Sequence, residues 1–347
     1  MDKLDPDIIE SLKSESLRYV SDDSPGFFRQ KNRNTYSYYD QNGKKITEAN
    51  VLSRIQKLVI PPAWRNVWIT PNSNGHLQAT GIDEKGRKQY IYHEDWIKIT
   101  QENKFSKMID FGLSLPHIRQ KVKYDMNQSG MDKKKIIATM VWLLEHTFVR
   151  IGNEEYKKEN NSYGLTTLHN RHVKVKGNEM VFRFRGKHGV ENIIEVANPL
   201  VAKTIKKCIE LPGYELFQYI DEDNNKHVVD SNDVNEFLKE ITKDEFTAKD
   251  FRTWGATNLS SKILNTLGEA ESKTNLQKNL RLMVKEVATH LNNTVSVCRN
   301  YYIHPTVIKT YSKKLLIPHF ESNKGKSKVK GLTWNEEALV KLLKKYS

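Results

Sequence analysis

The hydrophobic pattern changes period at His93, and this change constrains the fold more than any other feature of the chain. Before it, apolar residues come in short alternating runs. "TYSYYDQNGKKIT" (35–47) carries an Asn42-Gly43 turn signal between strand-like runs, and "NVWITP" (66–71) reads as a strand. "GHLQATGIDEKGRKQYIYH" (75–93) reads as two strands with a turn at Asp83 to Gly86, and "PDIIESLKSESLRYV" (6–20) has helical spacing. From "HEDWIKI" (93–99) onward the period is helical, with Asp132 placed to cap "KKKIIATMVWLLEHTFVR" (133–150). One insert breaks that run. "HVKVKGNEMVFRFRGKHGVENIIEV" (172–196) alternates strictly and has turn signals at Gly177-Asn178 and at Gly186 to Gly189. Helices return at "NPLVAKTIKKCIEL" (198–211), after Ser231, after Thr247 with a Thr-x-x-Asp box to Asp250, and through "NLQKNLRLMVKEVATHL" (275–291).

The fold class expected is therefore α+β, with three segments. Residues 1–93 form a small β-rich domain with two or three helices, and residues 94–322 a mainly helical domain with a β-hairpin insert. Residues 323–347 comprise a flexible basic linker, "NKGKSKVKG", and a short helix capped by Thr333 and Glu336. No internal repeat is present.

With 347 residues the chain is long enough for two cores. Its 56 Lys and Arg against 42 Asp and Glu leave a net charge of +14, which points to a polyanionic partner such as nucleic acid. A membrane partner is not expected, since no long apolar run, lipidation signal or basic amphipathic anchor stands out. The acidic start "MDKLDPDIIE" shows no signal peptide, and Cys208 and Cys298 alone make neither a disulfide framework nor a Cys-rich metal site. A reducing compartment, cytosol or nucleoid, is expected. HExxH, CxxC and GxxxxGK[ST] spacings are missing, so any catalysis is expected to need neither metal, cofactor nor ATP.

Four polar stretches of the helical region end or interrupt regular elements. "FVRIGNEEY" sets Arg150 at the end of a hydrophobic helix, and "FRGKHG" sets Lys187 at a hairpin tip. "AKDFRTWGATNLSS" sets Arg252 in the first turns of a capped helix, and "HLNNTVSVCRNYYIHP" supplies His290, Asn293, Tyr301 and Tyr302. Each has an ordinary structural explanation: a cap for Arg150, a solvated turn for Lys187, a surface ion pair for Arg252, packing for the tyrosines. Together they suit phosphoryl transfer. Two guanidiniums can fork the non-bridging oxygens of a phosphodiester, a lysine can protonate a departing oxygen, and nearby cations make a phenol a competent nucleophile.

The series "RIGNEEY", "FRFRGKHG", "KDFRTWGATN" and "HLNNTVSVCRNYYIHP", preceded by "PPAWRNVWITP" and "GIDEKGRKQYIYH", closely resembles the small type IB DNA topoisomerases of bacteria and large DNA viruses. The similarity runs in the same order from about residue 25 to about residue 310. It implies a topoisomerase IB/tyrosine recombinase-like fold that closes as a clamp on duplex DNA, acting as a monomer, preferably on supercoiled substrate. It implies that Tyr302 attacks a backbone phosphate to form a 3′-phosphotyrosyl link, after which the strand rotates and is resealed without ATP or metal. By the same matching Arg150 and Arg252 hold the scissile phosphate and Lys187 is the general acid. Viral members place a histidine nine residues before the nucleophile. Here that position is Asn293, as in bacterial members, and the chain is read as that subtype; His290 is not given the role, and Tyr301 is assigned to packing. Gln89, Tyr90, Tyr92 and, more weakly, Tyr156 are the DNA-contact candidates. The expected location is the cytoplasm or nucleoid of a bacterium, or a viral factory or virion.

Two rival readings remain open at this level. A tyrosine recombinase or integrase shares the chemistry, but its usual histidine three positions before the second arginine is Lys249 here, and "PPAW" and "GRKQYIY" have no recombinase counterpart. A basic protein that merely coats DNA would form no covalent adduct.

Overall fold

The alternation before His93 becomes a five-stranded antiparallel sheet in the order β2-β1-β3-β4-β5. The structure, a computed structural model, describes residues 16–33, 35–325 and 327–347. Most of the helical spacing at 6–20 lies outside the described residues. The strands are β1 (Phe27–Asn32), β2 (Thr35–Tyr39), β3 (Arg65–Ile69), β4 (Leu77–Ile82) and β5 (Lys88–Tyr92). Helix α1 (Ala49–Lys57) lies between β2 and β3 in the chain and contributes Ile55 to a core with Ile60, Val67, Ile69 and Ala79.

The turn joining β4 to β5 forms where the sequence places it, with the Asp83 carboxylate accepting the backbone N–H of Lys85 and Arg87 at 2.9 and 3.0 Å. The Asn42-Gly43 turn also forms, Gly43 taking φ +78. Beyond it, however, the second run makes only an isolated bridge at Lys45, and β2 pairs instead with β1. Strand β1, "FFRQKN", escaped the pattern because only its first two residues are apolar and most of it is exposed.

The chain divides into two compact units, Met1–Ser106 and Lys107–Ser347, the division falling within helix α2 (Glu94–Met126). The second unit continues with α3 (Lys133–Thr147), α4 (Glu154–Asn160), α5 (Pro199–Glu210) and α6 (Ser231–Thr242). Then follow α7 (Ala248–Leu267), α8 (Lys273–Leu291), α9 (Val295–Tyr301), α10 (Pro305–Ser312), α11 (Leu316–Ser322) and α12 (Trp334–Tyr346). The insert is a three-stranded antiparallel sheet, β6 (Val173–Lys176), β7 (Glu179–Arg185) and β8 (Glu191–Ala197). A short hairpin, β9 (Gln218–Ile220) with β10 (Lys226–Val228), was not evident in the sequence.

Helix α7 is the centre of this unit. Phe251 through Asn258 are all buried, so the helix is enclosed on every side and shows no single apolar stripe. Its small and polar residues survive burial because their hydroxyls bond nearby carbonyls, Ser260 to Thr257 O at 2.7 Å and Ser261 to Asn258 O at 2.8 Å. The start of the helix is set by Asp250, whose carboxylate accepts both the backbone N–H and the hydroxyl of Thr247 at 2.7 and 3.0 Å.

Helix α12 packs into the same core: Ala338, Leu339, Leu342 and Leu343 are fully buried, and Asn335 donates to Asn258 of α7 at 3.0 Å. Residues 327–331, read from the sequence as a flexible linker, are tied down. The Glu337 carboxylate accepts from the Ser327 hydroxyl and the Lys328 backbone N–H at 2.6 and 2.7 Å, and Gly331 lies against Pro116. Arg119 of α2 forks the Glu336 carboxylate at 2.6 and 3.0 Å and also donates to Glu145 of α3 at 2.7 Å and to Gly331 O at 2.6 Å. Removing that guanidinium strands two largely buried carboxylates. Arg119→Ala should therefore cost about 3 kcal/mol in urea denaturation, with a loss below about 1 kcal/mol counting against this brace.

Candidate active site

Arg150 does not lie on helix α3, as the hydrophobic run suggests, but in an extended segment just past it. The helix stops at Thr147 because Phe148 takes the left-handed conformation, φ 54, and its N–H returns to Leu144 O. The strip Arg150-Ile151-Gly152 is then fastened to residues 164–166: Leu165 N–H donates to Arg150 O at 2.8 Å and Thr166 N–H to Ile151 O at 2.7 Å. A Cβ on Gly164 would come within 2.5 Å of the Gly152 backbone, so only glycine allows this approach. Tyr163 N–H donates to Arg185 O at 2.7 Å, which binds the same strip to the end of β7. The Arg150 guanidinium donates to the side-chain oxygen of Asn293. Burial, and next the like charge of Arg252, push its pKa below the usual arginine value, while Tyr302 and Tyr156 act in the opposite sense.

Arg252 is 5% exposed. Its two terminal nitrogens donate to carbonyls at the C-terminal ends of two helices, Phe148 O after α3 and Leu291 O, at 2.9 Å, closing α8. Those carbonyls carry the negative end of each helix dipole and suit a cation. Its guanidinium carbon stands 5.3 Å from the centroid of the Tyr302 ring. One turn along α7, a Cβ on Gly255 would lie 2.1 Å from the Phe148 ring, so the glycine lets Phe148 approach and deliver its carbonyl.

The sequence suggests that His290 and Asn293 share one continuing helix. They do not. Helix α8 ends at Leu291, Asn292 is left-handed (φ 49, ψ 54), and a new helix, capped by the Thr294 hydroxyl, starts at Val295. The break turns Asn293 toward Arg150, whereas His290 stays exposed on α8 with its ring nitrogen on Glu286 O at 3.1 Å. Arg252 Nε is buried with no hydrogen-bond partner among the described residues, and Asn293 Nδ2 is buried with no nitrogen or oxygen acceptor there, its side chain lying beside the Cys298 thiol. Buried donors without oxygen acceptors suit an anionic phosphate.

Tyr302 caps helix α9. Its N–H and that of Ile303 both donate to Cys298 O, at 3.1 and 3.2 Å. On the far side the Thr257 hydroxyl donates to Tyr302 O and accepts from His304 N–H, both at 3.1 Å. Tyr302 is thus held through its backbone by the helix that carries Arg252. Tyr301, expected to pack, is 42% exposed. The thiol of Cys298 beneath the cluster is fully buried, and burial pushes it up to about 11 against the lowering influence of Arg252, Asn293 and Arg150. It stays protonated and does not compete as a nucleophile.

Lys187 lies at the hairpin tip as expected, in a loop closed by Gly186 N–H to Val190 O at 2.8 Å and turned by left-handed His188 and Gly189, φ 63 and 75. Its side chain is exposed, and Nζ stands 5.9 Å from the ring centroid of Tyr156. Tyr156 sits in the first turn of α4, its N–H on Asn153 Oδ1 at 3.0 Å.

In the other unit, Tyr90 and Tyr92 point out from edge strand β5, 47% and 39% exposed, with rings stacked at 6.0 Å. Gln89 falls on the opposite face with Ile91, and its amide donates to Asp83 at 3.1 Å. Gln89 and the two tyrosines thus occupy opposite faces of β5. Among the described residues no group of three His, Cys, Asp or Glu could hold a metal, and no helix is long and apolar enough to cross a membrane.

Sequence reasoning missed Thr257, Asn292, and the two carbonyls that hold Arg252. Only Asn292 left a trace, since an Asn-Asn pair before Thr is a plausible left-handed cap.

The family model for the eukaryotic DNA topoisomerase I catalytic core matches residues 93–328, and that for the bacterial DNA topoisomerase IB N-terminal domain matches residues 35–83. A DNA topoisomerase 1B of Acanthamoeba polyphaga mimivirus is 34% identical over 296 residues, covering 82% of this chain and 87% of the relative. The DNA topoisomerase 1B of Vaccinia virus (strain Copenhagen) is 26% identical over 247 residues, 69% of this chain and 73% of its own. A DNA topoisomerase 1 of Mycosarcoma maydis is 26% identical over 253 residues, 65% of this chain but 24% of that protein.

Thr257 is fully buried, and its hydroxyl is the polar link between α7 and the Tyr302 segment. Thr257→Val keeps the shape but leaves a buried N–H and C=O unpaired, so urea denaturation should show a loss of about 2 kcal/mol. Thr257→Ser, which keeps the hydroxyl and loses one methyl, should cost about 1 kcal/mol. A valine variant as stable as wild type would mean that these bonds contribute nothing.

Proposed function

The chain belongs to the type IB DNA topoisomerases, and from that membership we propose that Tyr302 is the nucleophile that opens one strand of duplex DNA. Its phenolic oxygen attacks the scissile phosphorus, the bond from phosphorus to the 5′-oxygen breaks, and a 3′-phosphotyrosyl ester is left. The phenolic proton passes to water, and Lys187 gives a proton to the departing 5′-oxygen. Arg150 and Arg252 hold the non-bridging oxygens, with Asn293 adding an uncharged N–H donor. After strand rotation the 5′-hydroxyl attacks the ester, Lys187 takes its proton back, and the departing tyrosine oxygen recovers its own proton from water. One phosphoester is exchanged for another, so neither ATP nor metal is needed to drive the cycle.

The meeting of Arg150 with Asn293 and of Arg252 with the Tyr302 ring supports this reading, with Arg252 Nε and Asn293 Nδ2 buried and without a nitrogen or oxygen acceptor among the described residues. The burial of Arg252 between helix ends supports its role as a fixed, preorganised charge. Tyr156, beside Lys187, is inferred to rest on the DNA backbone near the acid. Tyr90 and Tyr92 are the inferred groove contacts of the N-terminal unit. Gln89 would have to leave Asp83 to join them. The same proposal has a monomer enclosing the duplex as a clamp, with supercoiled DNA preferred because rotation releases its strain. The site of action would be a bacterial cytoplasm or nucleoid, or a viral factory or virion.

Relaxation of a supercoiled plasmid in EDTA without ATP tests the cycle, with a denaturant-resistant protein–DNA adduct as its signature. Tyr302→Phe should abolish both relaxation and adduct while leaving duplex binding near normal, and Tyr301→Phe should keep most activity. An adduct mapped to Tyr301 would overturn the assignment, and recombinant products would favour a recombinase.

Asn293→Ala should slow single-turnover cleavage by about 10²-fold, the effect of one oxyanion donor, whereas His290→Ala should be close to wild type. The reverse pattern would move the role to His290.

A further inference from the structure

Resting on the reading of Lys187 as general acid, we propose that Asn292 is a positioning residue that sets the acid's loop against the phosphate-holding cluster. The observation is a set of hydrogen bonds between segments a hundred residues apart. Asn292 Nδ2 donates to Glu191 O at 3.1 Å and to Asn192 Oδ1 at 3.0 Å. Asn192 in turn donates from Nδ2 to Val190 O at 3.0 Å and lies across the loop mouth, where a Cβ on Gly186 would approach that nitrogen to 2.3 Å. Glu191, Val190 and Gly186 are the residues that close the loop carrying Lys187.

The adjoining residue faces the other way. Asn293 accepts from Arg150, so the two amides of one Asn-Asn pair reach the phosphate cluster on one side and the acid's loop on the other. This matters because the ladder of β7 and β8 ends at Arg185 and Glu191, and beyond it the tip includes two left-handed residues and an exposed lysine. A general acid must come within hydrogen-bond reach of its oxygen, and a shift of an ångström costs rate steeply. Left-handed Asn292 keeps its amide pointed at the hairpin while its backbone closes α8.

An ordinary helix cap is the rival explanation, and glycine separates the two. Asn292→Gly preserves the left-handed backbone, where glycine is the commonest residue, and removes only the amide. Single-turnover cleavage by wild type, Asn292→Gly, Lys187→Ala and the double variant should be compared on substrates whose leaving atom is 5′-oxygen or 5′-sulfur, the latter departing without a proton. Asn292→Gly should cleave the oxygen substrate about 10- to 10²-fold slower and the sulfur substrate at close to the wild-type rate. The double variant should be no slower than Lys187→Ala alone. If Lys187→Ala is rescued by sulfur while Asn292→Gly is unimpaired, or is equally slow on both substrates, Asn292 is only a cap and the inference fails while Lys187 keeps its role. If Lys187→Ala is equally slow on both substrates, Lys187 is not the acid, and the site reading and the inference fall together.

Discussion

The second unit is organised around one buried charge. Arg252 sits on a helix enclosed on every side, and a guanidinium there is tolerable only if its donors are met. Two helix-end carbonyls meet its terminal nitrogens, which requires α3 to stop before Phe148 and α8 to stop at Leu291 so that both ends point at the same group. The terminations that bring those carbonyls inward also release the chain segments that carry Arg150 and Asn293. Holding the charge and assembling the site are thus one structural event.

Around this centre Arg150 and Tyr302 are fixed through their backbones. Arg150 lies on a strip bonded to residues 164–166, and Tyr302 is held between the Cys298 carbonyl and the Thr257 hydroxyl. That arrangement keeps their positions set, which electrostatic preorganisation demands. Lys187 differs, being exposed on a short loop whose closing residues are bonded by Asn192 and Asn292.

The end of the chain serves the same centre from behind. Helix α12 is bolted by Arg119 to α2 and α3 and by Asn335 to α7, so the helix that bears Arg252 is backed by residues far from the chemistry. Its sequence reads as a short appended helix because caps and period are local properties. That its apolar face completes the core is a property of the neighbours it meets.

By itself the sequence determined the α+β class, the caps at Asp132, Thr247 and Thr333, the hairpin that presents Lys187, and the residue types that point to phosphoryl transfer. These rest on spacing and turn chemistry within a few residues, which any stretch of chain carries with it. Tertiary structure alone decided the rest. The Asn-Asn-Thr sequence hints that the helix ends near Asn292, but nothing local announces that the break turns Asn293 toward Arg150. Strand β1 is too polar to be read without its partners, and the sequence does not show that Gln89 bonds Asp83 from the face opposite Tyr90 and Tyr92. The physical reason is common to all three: a left-handed residue, a polar strand and a polar side chain each choose among local states of nearly equal energy, and only long-range contacts make the choice.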